Sequence, residues 1–233
     1  MAQWFEQKFN GSDGHQSYRR KRVSSGLSYT SILIGINIVA FIIAFILISS
    51  IGESAVISWI ALQPSIVLAG HNLWTFVTSM FMHAGITHLF VNMISLMFIG
   101  GFVEKLIGKK RFIWLYLVGG IFAGLFFVGI AGLTGIDLNV YAVGASGAIF
   151  ALGGLLAVLT PKLPVLVFFV IPMPMWIAMV FLIVALWALS FGFGLPIGNV
   201  AHLGGLIVGI GYGFYLRRKY PRKTKMISQY FTR

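Results

Sequence analysis

Long apolar blocks separated by short polar ones set the rhythm of this chain. A helix that crosses a bilayer needs about 20 mostly apolar residues. Six blocks meet or approach that length: residues 30–50, 87–103, 112–134, 146–160, 175–191 and 199–216. They predict an all-α membrane protein with six transmembrane helices. Two further apolar stretches are broken too often to cross. Residues 51–86 carry Trp59, Trp74, Phe76 and Phe81, but Pro64, Gly70, His71 and Asn72 divide the stretch, which suits short amphipathic helices lying in the outer interface. Residues 163–171 run into Pro172 and Pro174, which disfavour a continuous helix, so this stretch is expected at the inner surface before the fifth span.

Composition agrees. The chain has 233 residues, 58% of them hydrophobic and 9% charged, far from the balance of a soluble domain. It has no cysteine, which rules out disulfides, thiol catalysis and cysteine-ligated metals. The net charge of +12 comes from 17 Lys and Arg against 5 Asp and Glu. All the basic residues flank apolar blocks on one side: the tail over residues 1–26, the turn from Lys105 to Arg111, Lys162, and the tail from Arg217 onward. The loops between carry only Glu53 and Asp137. Such placement marks topology rather than a nucleic-acid surface, and it puts both termini in the cytoplasm, which requires an even number of spans. Three regions follow: a basic cytosolic tail over 1–26, a six-helix membrane domain over 27–217, and a second basic tail over 218–233.

In that topology the second, fourth and sixth spans all start from the outer side, and each carries polar residues near its start. These are His88 and Asn92, Ser146, and His202. Polar groups in hydrocarbon are costly and tend to face a cavity and mark function. The fourth span has 15 residues, about 22 Å of helix against a core of roughly 30 Å. The chain over 135–145 must then dip into the membrane as irregular backbone, which is tolerated where it is buried or lines a watery cavity.

Ser146 sits in the run Gly144, Ala145, Ser146, Gly147, Ala148. At a helix start it meets unpaired N–H groups that could hold an oxyanion, although a simple N-capping serine fits the same position. His202 is the candidate base at the same depth; a histidine bonding between packed helices is the plainer alternative. Ala201, Gly205, Gly209 and Gly213 recur every four residues, and Gly147 and Ala151 share that period on the fourth span. Matching small-residue stripes let two helices approach closely, which would bring Ser146 to His202. No carboxylate falls within the six predicted spans, so a dyad is expected, with Phe150, one turn after Ser146, supporting the imidazole. His88 and Asn92, four residues apart, share one helix face and suit either oxyanion donation or interhelical hydrogen bonding. His83, His88 and His202 lack the further ligand that a metal centre needs; neither metal nor cofactor is expected.

These stretches resemble the rhomboid intramembrane serine proteases over residues 62–213. The likeness rests on His83 to Met93, on Gly100, Gly101 and Glu104, on Gly144 to Gly147, and on Ala201 to Gly205 with Gly209. It implies a rhomboid-like six-helix bundle, Ser146 as nucleophile, His202 as base, and His88, Asn92 and the Ser146 N–H as the oxyanion site. It also implies single-pass transmembrane proteins as substrates, cut near the outer end of the spanning segment after a small residue, and a prokaryotic cell membrane as location. In two places the chain departs from the family pattern. Thr75 follows Trp74 where arginine is frequent, and Phe150 stands where tyrosine is common. Glu104 matches a position expected to be structural. The alternatives are an inactive relative that binds transmembrane helices without cutting them, and a small transporter relaying protons through histidines. The first would typically have lost the serine or histidine; the second predicts charged partners and repeated halves. The fifth span, after its prolines, is the expected gate for substrate.

Overall fold

The computed structural model describes residues 27–167, 170–194 and 198–231. The N-terminal tail expected over residues 1–26 lies outside them. The first spanning helix, α1 (Tyr29–Ile51), is followed by three short helices, α2 (Glu53–Ile60), α3 (Pro64–Leu68) and α4 (Thr75–Thr78), with a 3-10 turn over Ser79–Phe81. Then come α5 (Ile86–Ile107), α6 (Lys109–Thr134) and the shorter α7 (Ser146–Leu159). A hairpin of β1 (Pro164–Val167) and β2 (Ile171–Pro174) precedes α8 (Met175–Phe193) and α9 (Asn199–Lys219). A last helix, α10 (Pro221–Tyr230), occupies most of the C-terminal basic segment. Among the described residues five helices are long and apolar enough to cross a membrane, and α7 is the short sixth.

The six helices start and end within four residues of the predicted spans. The largest difference is at the end of α5, which contains a π-helical turn at Leu96–Gly100 and runs past residue 103 to Ile107. Glu104 therefore lies inside a spanning helix, which corrects the expectation that the spans hold no carboxylate. Both its oxygens are engaged at the start of α1: Ser28 Oγ donates at 2.6 Å, Thr30 Oγ1 at 2.7 Å, and the Tyr29 and Thr30 N–H groups at 2.9 Å. The carboxylate thus takes over the capping of α1 from Ser28, which makes no cap bond within its own helix.

The hairpin is the one sheet among the described residues, an antiparallel pair with Pro164 opposite Pro174 and Val167 opposite Ile171. Three prolines in eight strand residues remove N–H donors, so a short two-stranded piece is as much pairing as this segment supports.

The core belongs to α6, α7 and α9. Of the 14 residues in α7, 12 are buried. Glycines make this closeness possible. A Cβ on Gly205 would strike the Gly147 carbonyl, one on Gly209 the Ala151 carbonyl, and one on Gly213 would come 2.7 Å from Val158 Cβ. On the other flank, a Cβ on Gly204 would lie 2.7 Å from Phe126 Cβ on α6. The four-residue stripe on α9 is therefore the surface that lets it lie backbone to backbone on α7.

Candidate functional site

Ser146 is the first residue of α7, and the cap position before it is held by Ala145, which has no polar side chain. The N-capping alternative is thereby set aside. Its Oγ lies 2.7 Å from His202 Nε2. The approach of Gly205 to Gly147 sets this distance, since each glycine lies within one turn of one member of the pair. Phe150 stacks on the His202 ring with centroids 4.6 Å apart and planes 16° apart. The imidazole is 7% exposed, and its Nδ1 meets no hydrogen-bond partner among the described residues. Packing rather than a carboxylate orients the ring, and the one acid in the spans, Glu104, is bonded to α1 at the opposite end.

The first hydrogen bond of α7 runs from Ile149 N–H to the Ala145 carbonyl at 3.0 Å. The N–H groups of Ser146, Gly147 and Ala148 precede it and point out of the helix start, beside the Ser146 hydroxyl.

His88 reaches the same spot from α5. A Cβ on Gly144 would fall 2.8 Å from His88 Cε1, 2.9 Å from Nε2 and 3.8 Å from Ser146 Oγ. Gly144 also has φ of +118°, where an L side chain is strained, so both backbone and space require glycine. On the far side of the ring the Ala84 N–H donates to His88 Nδ1 at 3.4 Å. A neutral ring that accepts at Nδ1 carries its proton on Nε2, the nitrogen beside Gly144.

Asn92 is buried, and its amide donates to the His88 carbonyl at 2.8 Å, four residues back on its own helix. One of its two N–H bonds is therefore spent on α5 itself rather than across helices. Ser146, His202, Phe150, Gly144 and His88 form one cluster, and Asn92 lies one turn along α5 from His88.

His83 is a neighbour that sequence reasoning weighed only as a metal ligand. It is 5% exposed and meets His88 edge to face with ring centroids 5.2 Å apart. Burial, with the adjacent His88 adding to it, lowers its pKa to about 4, so the ring is neutral at physiological pH. Its place in the run from His83 to His88 was the available signal. Among the described residues no three His, Asp or Glu side chains converge as a metal set would.

The segment over 135–145 is braced by the loop between α1 and α5. Leu62 and Ala142 exchange hydrogen bonds of 3.0 and 2.8 Å, Ser65 N–H reaches the Leu138 carbonyl at 2.9 Å, and Gly144 N–H reaches the Ser79 carbonyl at 2.8 Å. These bonds satisfy part of the irregular backbone that joins α6 to α7. That loop is itself anchored without an arginine after Trp74. Trp74 Nε1 donates to the Trp59 carbonyl at 2.8 Å, Asn72 Nδ2 to the Ser58 carbonyl at 2.9 Å and Thr78 Oγ1 to the Ile60 carbonyl at 2.9 Å. Thr75, 1% exposed, faces inward and bonds the Asn72 carbonyl at 2.6 Å.

Comparison with known proteins agrees with this architecture. The Rhomboid domain family model matches residues 70–219. The chain is 35% identical over 164 residues to "RHOMBOID-like protein 1" of Arabidopsis thaliana, covering 69% of this chain and 39% of that protein. It is 29% identical over 182 residues to "Rhomboid protease GlpG" of Yersinia enterocolitica, covering 78% and 61%. Against "Rhomboid protein 1, mitochondrial" of Saccharomyces cerevisiae it is 33% identical over 144 residues, covering 60% and 41%. The chain thus spans from 39% to 61% of the length of these relatives. The family match covers α5 to α9 and every residue of the cluster around Ser146, and the chain belongs to the rhomboid family of integral membrane proteins.

Proposed function

We propose that this protein is an intramembrane serine endopeptidase that cuts single-pass transmembrane proteins near the outer membrane face. The observation that carries the reading is the 2.7 Å contact between Ser146 Oγ and His202 Nε2 within two packed membrane helices. In the proposed reaction Ser146 Oγ attacks the scissile carbonyl carbon as its proton passes to His202 Nε2. The carbonyl oxygen becomes an oxyanion, held by His88 Nε2–H and the Ser146 N–H, with the free N–H of Asn92 as the third donor. The C–N bond then breaks, and the proton on His202 goes to the leaving amine. Water attacks the resulting ester with His202 again as base, and the serine and a carboxyl terminus are released.

Supporting features lie in the framework. With 14 residues, α7 is about 21 Å long, several Å short of a roughly 30 Å core, so Ser146 lies below the outer surface at a depth a substrate helix can reach. Phe150 and the close glycine contacts hold His202 without a third acidic member. Both termini are cytoplasmic on this reading, since the basic residues collect at the end away from the dyad; a prokaryotic cell membrane is the proposed setting. The intact pair Ser146 and His202 favours the protease over a non-cleaving relative.

Reconstitution in liposomes with a model single-pass substrate tests the reading. Wild type should cleave, while Ser146→Ala and His202→Ala should fall to background with unchanged thermal stability. Cleavage that survives Ser146→Ala would falsify the mechanism. A serine-directed fluorophosphonate should label wild type but not Ser146→Ala.

A further inference from the structure

The end of the bundle opposite the dyad gathers cations around tyrosine rings. Arg111, in the first turn of α6, sets its guanidinium carbon 5.3 Å from the centre of the Tyr220 ring and donates to the Tyr220 hydroxyl at 3.1 Å. Lys219, in the last turn of α9, lies 5.9 Å from the same ring centre and donates to the Tyr215 hydroxyl at 2.8 Å. Two like charges from different helices thus meet around one tyrosine, where they repel. Among the described residues no carboxylate offsets them. Glu104 is taken up by α1, while Glu53 starts α2 and Asp137 lies between α6 and α7, at the other end.

Beside this pair, α10 is tied to the bundle. Thr224 and Ile227 are buried, and Phe231, just past the helix, meets Phe102 of α5 edge to face at 5.7 Å. The opposite side of α10 exposes Arg222, Lys225, Met226 and Tyr230. Basic heads next to apolar and amphipathic side chains suit the boundary between headgroups and acyl chains.

We propose that Arg111, Lys219 and the exposed basic side of α10 form a binding site for the phosphate of an anionic phospholipid in the adjacent leaflet. A phosphate oxygen accepts from the guanidinium and the ammonium together and relieves their repulsion. A lipid is favoured over free phosphate because the cations sit at the ends of membrane-crossing helices, at headgroup depth, with Met226 and Tyr230 exposed beside them. The site stands apart from the hydrolytic reading and is tested without it.

The full-length protein, purified in a neutral maltoside detergent, is titrated with phosphatidylglycerol or phosphatidylcholine, and retained lipid is counted by native mass spectrometry. Wild type should retain phosphatidylglycerol and shed phosphatidylcholine. Arg111→Gln combined with Lys219→Gln should lower phosphatidylglycerol retention by about tenfold or more, and Arg222→Gln combined with Lys225→Gln by about fivefold. The second pair is exposed, so its effect can be read even if the first perturbs folding. Equal retention by wild type and both double variants overturns the proposal. Displacement of the lipid by millimolar inorganic phosphate, at unchanged ionic strength, overturns the choice of lipid over free phosphate.

Discussion

The helices α7 and α8 follow one another in sequence and are similarly apolar, yet the bundle treats them in opposite ways. In α7, 12 of 14 residues are buried; in α8, 3 of 19 are, namely Met175, Ala178 and Met179, all in its first turns. Side-chain size explains much of the difference. Gly147, Ala148, Ala151, Gly153 and Gly154 give α7 a thin waist that neighbours enter from several sides, whereas Phe181, Leu182, Trp187 and Phe191 give α8 bulk all round. Because lipid tails are as apolar as leucine, a bulky helix gains little by leaving lipid for protein, while a thin one gains close backbone contact. The proposed nucleophile starts the helix that is packed on several sides. The helix proposed as the gate is held at one end.

The strongest way to break this contrast is to thicken the tight interface. Gly209→Val pushes a side chain into the Ala151 carbonyl and should cost about 3 kcal/mol, with loss of cleavage; unfolding in mixed micelles gives the number. If Gly209→Val keeps wild-type stability, the backbone contact between α7 and α9 is not what holds the dyad together. Next in size, His88→Ala should lower kcat by about 10²-fold while leaving stability near wild type. Asn92→Ala should cost less in turnover, because part of its amide is already bonded to the His88 carbonyl; the ratio of the two losses ranks the donors. A smaller effect is expected at Phe150. Removing the ring that stacks on His202 with Phe150→Ala should slow turnover by about tenfold, while Phe150→Tyr should stay within about twofold; similar rates for both would show that stacking does not orient the imidazole. At the loose end of the comparison, Val184→Ala on the exposed part of α8 should change stability by less than about 0.5 kcal/mol.

Much of this was legible in the chain because a bilayer imposes strong rules. Apolar block length gave all six helices, and the four-residue spacing of Gly205, Gly209 and Gly213 pointed to the helix pair that carries Ser146 and His202. What was hidden depended on groups far apart in sequence. Glu104 looked like a helix-end acid, and nothing in its neighbourhood announces that its oxygens reach Ser28 and Thr30. The β1–β2 hairpin was missed because proline-rich apolar residues carry no alternation to mark strands. Asn92 kept two readings in the sequence, and the structure added a third, a bond within its own helix. His83 was visible as a residue, but its edge contact with His88 depends on a turn between them that spacing alone does not define.

Glu104 has a consequence for how the protein is made. The opening amides of α1, Tyr29 and Thr30, are capped by a carboxylate that lies more than seventy residues further along the chain. While ribosomes release the chain, α1 enters the membrane before its cap exists. Its N-terminal amides must rely on water at the surface until α5 has been inserted and has carried Glu104 to them. Assembly of the first span is thus completed by the second, and a chain halted before residue 104 leaves α1 in the bilayer without the bonds that fasten it.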